Sequence, residues 1–392
     1  MTAPAASSST AAAADDDRAA VPRRNQETVV VPGRDVPGPG RRASRRAVLI
    51  GLALAAALLV SLGASVSLGS VTIPFGDVWA IVAHAATPSS WWTGSWAPWW
   101  TPAREAIVAD SRLPRALTAA CVGAALAVAG VVAQAVTRNA LADPYLLGIS
   151  SGAGFGVVLV IVTGLGAGAL GAFTLPAAAF AGALLPLAGT IAVSAKARDV
   201  TAVILAGVAM SMVFSALITF FVLVVGDDHT LGSVMRWLAG GFGDARWPTL
   251  AVPAAAVLLV GGGVMASGRW LNLLHAGDDG AAALGMNVRR FRLLVLLAVS
   301  LLTAAAVSVS GAIGFVGLLV PHAAGFLVGR NAVRLVPVAA LGGALVLVLA
   351  DVVARTVSPT TELPVGVVTA MAGGPVFLAM LWRQYSRRGM AR

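Results

Sequence analysis

The sequence predicts an all-α integral membrane protein with about ten transmembrane helices. Three observations carry that prediction. The chain of 392 residues is 58% apolar and only 11% charged, whereas soluble domains carry about a quarter charged residues. Its mean hydropathy is +0.86. The apolar residues fall into runs close to the ~20 residues that cross a bilayer as a helix, and short polar segments between the runs hold most of the arginines. Ala, Gly, Val and Leu dominate, as close helix packing in lipid requires. The single Cys121 allows neither a disulfide framework nor a thiolate metal cluster. The net charge of +10 lies between the apolar runs, so it fits membrane topology rather than nucleic-acid binding.

Residues 1–46 are rich in Ala, Ser, Pro, Gly and Arg without apolar periodicity, which predicts a disordered cytoplasmic tail. Arg41, Arg42, Arg45 and Arg46 then precede the first apolar run. A cleaved signal peptide would have a shorter core nearer the N-terminus, so this run is expected to remain as a helix. Spans are expected near 47–69, 113–136, 146–165, 170–195, 201–225, 248–267, 291–309, 312–328, 335–354 and 364–382. They form a polytopic permease-like domain at 47–385, followed by a cytoplasmic tail at 386–392. With the N-terminus inside, the inner segments hold 17 Lys and Arg and the outer segments 6; the four remaining of the 27 lie in the distal tail. That bias supports an even number of spans with both termini in the cytoplasm.

Two outer segments are long. Residues 70–111 join an amphipathic piece, IPFGDVWAIV, to the cluster WWTGSWAPWW. Tryptophan favours the membrane–water interface, so Trp91, Trp92, Trp96, Trp99 and Trp100 are expected to anchor there. Residues 226–247 read as a short outer helix and turn. One inner segment is also long: 268–292 alternates helical pieces with glycine turns, a pattern suited to docking a cytoplasmic partner.

The stretch from Arg112 to Gly156 combines these features. Arg112 and Arg115 flank Pro114 at an outer mouth, an apolar run follows, and a polar inner turn at 138–143 leads to Pro144. The next helix opens with Gly148, Gly152, Gly154 and Gly156. Glycines that dense let neighbouring membrane helices pack backbone to backbone.

Several chemistries are absent. Lys196 lacks the glycine-rich context of a phosphate loop. His84, His229, His275 and His322 have no metal-ligand spacing, and no nucleophile elbow occurs. Intramembrane ionisable groups mark proton relays, and the later spans offer only His322, placed to cap backbone groups freed by Pro321, and Asp351, four residues before Arg355 and able to pair with it. The chain is therefore expected to be no enzyme and to draw its energy from another subunit. The alternative, a proton-coupled carrier working alone, would need Asp351 and His322 as its titrating pair.

The segments RLPR at 112–115, NALADPYLLGISSGAGFG, LNLLHAGDDGAAALGMNV, GAIGFVGLLVPH, LADVVAR and ELPVGVVTAMAGGP, in this order, resemble the FecCD family. Its members are the permease subunits of ABC importers for iron–siderophore complexes, haem and cobalamin. The resemblance implies a type II importer permease architecture in the cytoplasmic membrane and a ferric siderophore or similar metal chelate as cargo. It also implies a second permease subunit, identical or related, around a central path. A cytoplasmic ABC ATPase dimer would bind ATP and Mg, leaving this chain without cofactor or metal, and an extracytoplasmic binding protein would deliver cargo; membrane lipid surrounds the whole.

By motif match, Arg112, Arg115 and Arg355 are implied to meet acidic groups of the binding protein, where charge steers encounter. Leu271, Leu274, Ala276, Gly277, Ala282, Leu284 and Gly285 are implied to couple to the ATPase. Asn139, Leu141, Val200 and Thr201 are implied to form the cytoplasmic gate. Here Ala140 stands where family members often have proline, KARDVTA is not a close match, and the tryptophan-rich insert at 91–100 and the tail have no counterpart.

Overall fold

The structure is a computed structural model and describes residues 41–69, 71–87, 99–166, 168–196, 200–358 and 361–389. The expected tail before residue 41 and Trp91, Trp92 and Trp96 lie outside the described residues. Among those described, eight helices are long and apolar enough to cross a membrane. The remaining two expected spans, at 146–165 and 312–328, are present as shorter apolar helices.

In chain order the helices are α1 (Arg41–Ser67), α2 (Phe75–Ala86), α3 (Pro102–Thr137), α4 (Ile149–Thr163), α5 (Thr174–Lys196), α6 (Val200–Val224), α7 (Asp228–Ala239), α8 (Trp247–Ala266), α9 (Gly268–Leu273), α10 (Asp278–Ala283), α11 (Val288–Ser310), α12 (Val316–Val328), α13 (Ala332–Thr356) and α14 (Val365–Gly389). The first helix thus starts at Arg41, inside the stretch read as tail, and the last runs past 385.

Local signals explain the boundaries. Thr101 caps α3, its hydroxyl accepting from the Arg104 N–H at 3.3 Å, with Pro102 at the first helical position where no donor is missed. Asp227 caps α7 by accepting from the Thr230 N–H at 2.8 Å, and hydrogen bonds from Thr230 hold that carboxyl below the ordinary carboxylate range. Helix α3 stops at Arg138, whose φ of 50° is left-handed, an uncommon conformation for a non-glycine residue. Single π-helical stretches, at Ile107–Arg112 in α3 and Ala256–Gly261 in α8, were not signalled by the sequence.

The two short spans are short because each begins at a break. A 3₁₀ turn at Pro144–Leu147 precedes α4, and an irregular segment, 311–315, precedes α12. Backbone groups freed at such breaks must find protein partners in a membrane. The Tyr145 hydroxyl fastens one break to the other: it donates to the Ile313 carbonyl at 3.0 Å and accepts from the Ile313 N–H at 3.3 Å.

Helix α3 is the hub. Of its apolar stretch 83% is buried against 11% for α1, so α3 lies inside the bundle while α1 lies at its edge. Glycines set the closest approaches. A methyl group on Gly123 would lie 2.1 Å from the Gly343 carbonyl oxygen, and one on Gly130 would lie 1.8 Å from that of Gly317. So α3 meets α13 and α12 backbone to backbone, a contact whose dispersion energy only small residues allow.

Candidate functional site

At the end of the bundle expected to face outward, three arginines tie helices together. The α1 C-terminus has no basic residue of its own in its last turn, and its carbonyls need donors. Arg112 of α3 donates to the Val66 and Ser67 carbonyls at 2.9 and 3.0 Å and to that of Val71. Arg355 of α13 donates to the Ser65 carbonyl at 2.9 Å, the Ser65 hydroxyl at 2.8 Å and the Leu68 carbonyl at 3.1 Å. Cations there also complement the negative end of the helix dipole.

The third, Arg115, completes an ionic chain. Its guanidinium lies 2.9 Å from Asp351 and 2.8 Å from Glu362. Asp351, wholly buried, also pairs with Arg355 at 3.1 Å. The expected pair between positions 351 and 355 therefore exists, as one link of a larger network. Arg112 and Arg355 are only 7% and 9% exposed, so all three arginines engage this chain's own groups. Arg104, Arg236 and Arg246 are the more exposed cations of the same region.

Beside this mouth, α2 packs Val78 and Ile81 against Ile73, Val66 and Val108. Of the two described tryptophans in the WWTGSWAPWW cluster, Trp100 is buried and donates to Glu105 at 3.1 Å. Trp99 is exposed and donates to Asp77 at 3.1 Å, and Arg104 meets the same carboxylate at 2.8 Å.

The glycines at the start of α4 face two ways. A methyl on Gly152 would lie 2.4 Å from the Gly182 carbonyl oxygen, and one on Gly156 would lie 2.1 Å from that of Ala178; both face α5. Gly154 faces the flexible ends of Leu238 and Ile218 at 3.0 and 3.1 Å, on α7 and α6. Gly148 has φ of +78° at the joint between the 3₁₀ turn and α4, a conformation that glycine adopts without strain.

At the opposite end of the bundle, expected to face the cytoplasm, the turn after α3 carries Asn139 and Leu141. Asn139 is exposed, and its side-chain oxygen accepts from the Leu141 N–H at 3.0 Å, an Asx turn. Val200 and Thr201 begin α6; their side chains lie outside the described residues. A small apolar cavity of about 30 Å³ separates the two elements, lined by Thr137, Asp143, Pro144, Val203, Ile204 and Arg292 among others.

The segment 268–292 is three short helical pieces: α9, a 3₁₀ turn at Leu274–Ala276, and α10. Its implied coupling residues divide by burial. Leu271 and Leu274 are buried, anchoring the segment to the bundle, while Leu284 is 62% exposed. Ala276, Ala282 and Gly285 are exposed as well. Gly277 and Gly285 have φ of +90° and +85°, turning the chain before and after α10. Asn272 fixes the segment to α13, accepting from the Ala332 N–H at 2.7 Å and donating to Asn331 at 3.2 Å.

Asp278 ties it to two further elements. Its carboxylate pairs with Arg138, which ends α3, and accepts from Arg292 of α11 at 2.9 and 3.0 Å. Burial raises its pKa, but the hydrogen bonds and charges of Arg292 and Arg138 outweigh this and hold it below the ordinary carboxylate range. Sequence reasoning missed this cluster, because nothing in the pattern links positions 138, 278 and 292.

His322 lines a separate cavity of about 100 Å³ with Gln134, His275, Pro321, Phe326 and Arg330. Beside Pro321 it is Gln134 that serves the backbone, donating to the Leu318 carbonyl at 3.0 Å, whereas His322 meets the backbone of Ala140. Asp351 is engaged by Arg115 and Arg355. The pair that a proton-coupled carrier would need is therefore not assembled. Among the described residues no group of three or more His, Cys, Asp or Glu could hold a metal ion.

This arrangement of spans, broken helices and a structured inner loop has counterparts. A sequence profile described as the FecCD transport family matches residues 53–383. The chain belongs to the FecCD transport family. A FecCD relative, the hemin transport system permease protein HmuU of Yersinia pestis, is 37% identical over 354 residues, 87% of this chain and 97% of that one. The cobalamin import system permease protein BtuC of Halobacterium salinarum is 38% identical over 85% of this chain and 88% of its own length. A permease protein of Bacillus subtilis named only as an ABC transporter component, YvrB, is 39% identical over 84% and 92%. Among solved structures, an inward-facing conformation of a metal-chelate type ABC transporter superposes with a TM-score of 0.74 at 31% identity, covering 86% of this chain and 99% of the other. This chain is thus a multi-pass FecCD permease of the ABC importer class, and its helical fold is that of a metal-chelate transporter permease.

Proposed function

We propose that this FecCD chain carries a ferric siderophore or a similar metal chelate across the cytoplasmic membrane, by alternating access driven by a separate ATPase dimer that holds ATP and Mg. A binding protein delivers the chelate at the outer mouth, a second permease subunit completes the path, and both termini are cytoplasmic. The observation that carries this reading is the segment 268–292: it is anchored by Leu271 and Leu274 yet presents Leu284 at 62% exposure. An apolar side chain held out from a rigid, glycine-bounded support is what a partner cleft can grip. The likeness to a metal-chelate type transporter supports the cargo class.

In this mechanism, nucleotide binding moves the ATPases, the segment 268–292 follows them, and the turn at Asn139–Leu141 with the start of α6 at Val200–Thr201 opens or closes the inner end. At the outer end, the network of Arg112, Arg115, Asp351, Arg355 and Glu362 holds α1, α3 and α13 in register. Glu362, Arg115 and the exposed cations around them give the docking surface its charge.

The test is co-purification of the tagged chain with its ATPase from detergent. The reading expects a stoichiometric ATPase that is lost in Leu284→Asp. A chain that purifies alone and takes up cargo in liposomes without ATP would overturn it.

A further inference from the structure

Both ends of the turn 138–148 trace back to one side chain, Asp278, through Arg138 at one end and through Arg292 and α11 at the other. At its start, Arg138 leaves α3 with a left-handed backbone, which sends its guanidinium to the segment 268–292: Nε donates to the Leu274 carbonyl at 3.1 Å, and Nη2 meets the Asp278 carboxylate. At its far end, Tyr145 is hydrogen-bonded in both directions to Ile313, in the break that follows α11. Helix α11 is one unbroken helix from Val288 to Ser310, and at its inner end Arg292 places its guanidinium on both oxygens of Asp278. The path therefore closes: from Asp278 through Arg138 to the start of the turn, and from Asp278 through Arg292, α11 and Ile313 to its end.

Three further features fit a moving part. The turn itself is pinned internally, by the Asx contact of Asn139 with Leu141 at 3.0 Å and by Asp143 accepting from the Tyr145 N–H at 2.8 Å, so it can shift as a unit. A cavity of about 30 Å³ lies behind it, between Thr137, Pro144, Ile204 and Leu296. Arg292 lines that cavity, and its buried Nε has no hydrogen-bond partner. Both oxygens of Asp278 accept from the one Nη2 of Arg292, a charge-assisted contact stronger than a neutral one, and a packed helix passes displacement along its length rather than absorbing it.

We propose that Asp278 is the positioning residue through which the segment 268–292 moves the turn 138–148, holding Arg138 and Arg292 together as the common anchor of both ends. This rests on the coupling and gate roles proposed above and deepens them: the exposed Leu284 receives the movement, and Asp278 passes it on.

The test uses the complex with its ATPase in detergent or nanodiscs, and MgATP with vanadate as the probe, so that no cargo need be known. In a Cys121→Ala background, Leu141→Cys reports the turn by its rate of labelling with a membrane-impermeant maleimide. The expected result is that nucleotide changes this rate in the parent. In Asp278→Asn the change is lost, while the ATPase still co-purifies and hydrolyses ATP. A change retained at full size in Asp278→Asn overturns the proposal and leaves the coupling reading standing. No change in the parent overturns the gate reading, and the proposal with it.

A second variant guards against mere misfolding. Asp278→Glu, read with the same Leu141→Cys reporter in the Cys121→Ala background, keeps a carboxylate for Arg138 and Arg292. Retention of the nucleotide response in Asp278→Glu beside its loss in Asp278→Asn supports transmission through the ion pairs. Loss of the response in both variants, with the ATPase retained, shows that the carboxylate does not carry the movement, which overturns the proposal.

Discussion

Arg115 and Asp351 face each other at 2.9 Å across α3 and α13, two elements far apart in sequence, and the carboxylate is wholly buried. An isolated charge so placed would be costly. It is tolerated because Arg355 pairs with it from the other side at 3.1 Å and Glu362 satisfies the outer edge of Arg115 at 2.8 Å. The same group of arginines also braces α1, with Arg112 and Arg355 donating to the carbonyls at its end.

Breaking this network should therefore be asymmetric. Asp351→Asn leaves two buried guanidinium groups without their carboxylate and is expected to destabilise the protein by about 3–5 kcal/mol. Glu362 is 57% exposed, so Glu362→Gln should cost no more than about 1 kcal/mol, as exposed pairs do. Thermal unfolding of the two variants in the same detergent gives the comparison. Equal midpoints would mean that the buried carboxylate is not what holds α3 to α13.

Helix packing at α4 makes a sharper contrast between two glycines two residues apart, which face different neighbours. Gly156→Ala pushes a methyl to 2.1 Å from the backbone oxygen of Ala178, which cannot yield without moving α5. Gly154→Ala meets the side-chain end of Leu238 at 3.0 Å, which can turn aside. The first change is expected to cost about 1–3 kcal/mol or more by overpacking, and the second to be near neutral. Monodispersity and melting temperature of the purified variants report both; a Gly156→Ala protein as stable as the parent would remove the backbone contact from the account.

Much of this was legible in the sequence, for identifiable reasons. Spans were legible because a bilayer demands a continuous apolar run of fixed length, and the short α4 and α12 still registered because their glycine and proline breaks lie beside apolar runs. The dense glycines around 148–156 signalled close packing, since glycine in a membrane helix has few other uses. The helical start at Arg41 was missed because a basic, alanine-rich stretch reads equally as tail. What could not be read were partners. Charge placement puts Arg112, Arg115 and Arg355 on the expected outer side, and the four-residue spacing predicts the pair of Asp351 with Arg355, but neither shows that α1 carbonyls would engage Arg112 and Arg355 or that Arg115 would join Asp351. Positions 138, 278 and 292 meet only through the tertiary fold, and no spacing rule joins them.

The division of the inner segment by burial predicts two separable phenotypes. Leu271 and Leu274 are buried, so Leu271→Ala should destabilise by about 2–5 kcal/mol through the cavity it leaves. Leu284 is exposed, so Leu284→Asp should fold and unfold as the parent does yet fail to retain the ATPase. Melting curves and ATPase co-purification on the same preparations separate the two. A Leu284→Asp protein that keeps its ATPase would place the contact elsewhere on the inner face.

The last prediction concerns pH at the inner segment. The Asp278 carboxyl titrates below its ordinary range because Arg292 and Arg138 outweigh the opposing effect of burial. A depressed folded-state pKa means that the carboxylate's contribution is fully present above the unfolded value, near ~3.9. It is lost as pH falls through the lower, folded value. The segment should therefore stay fixed from neutral pH down through the ordinary carboxylate range and loosen only below it. With a fluorophore on Leu284→Cys in the Cys121→Ala background, anisotropy should hold steady over that upper window and drop beneath it. In Asp278→Asn the low-anisotropy state should be present already at neutral pH, with no further step in the acid range. Loosening of the parent above the ordinary carboxylate range would contradict the sign of the shift, since it would require the folded state to hold the proton more tightly than the unfolded one. The Arg138–Asp278 pair is partly exposed, so high salt should weaken it at neutral pH in the direction of the acid effect, whereas the buried Asp351 network should respond much less to salt.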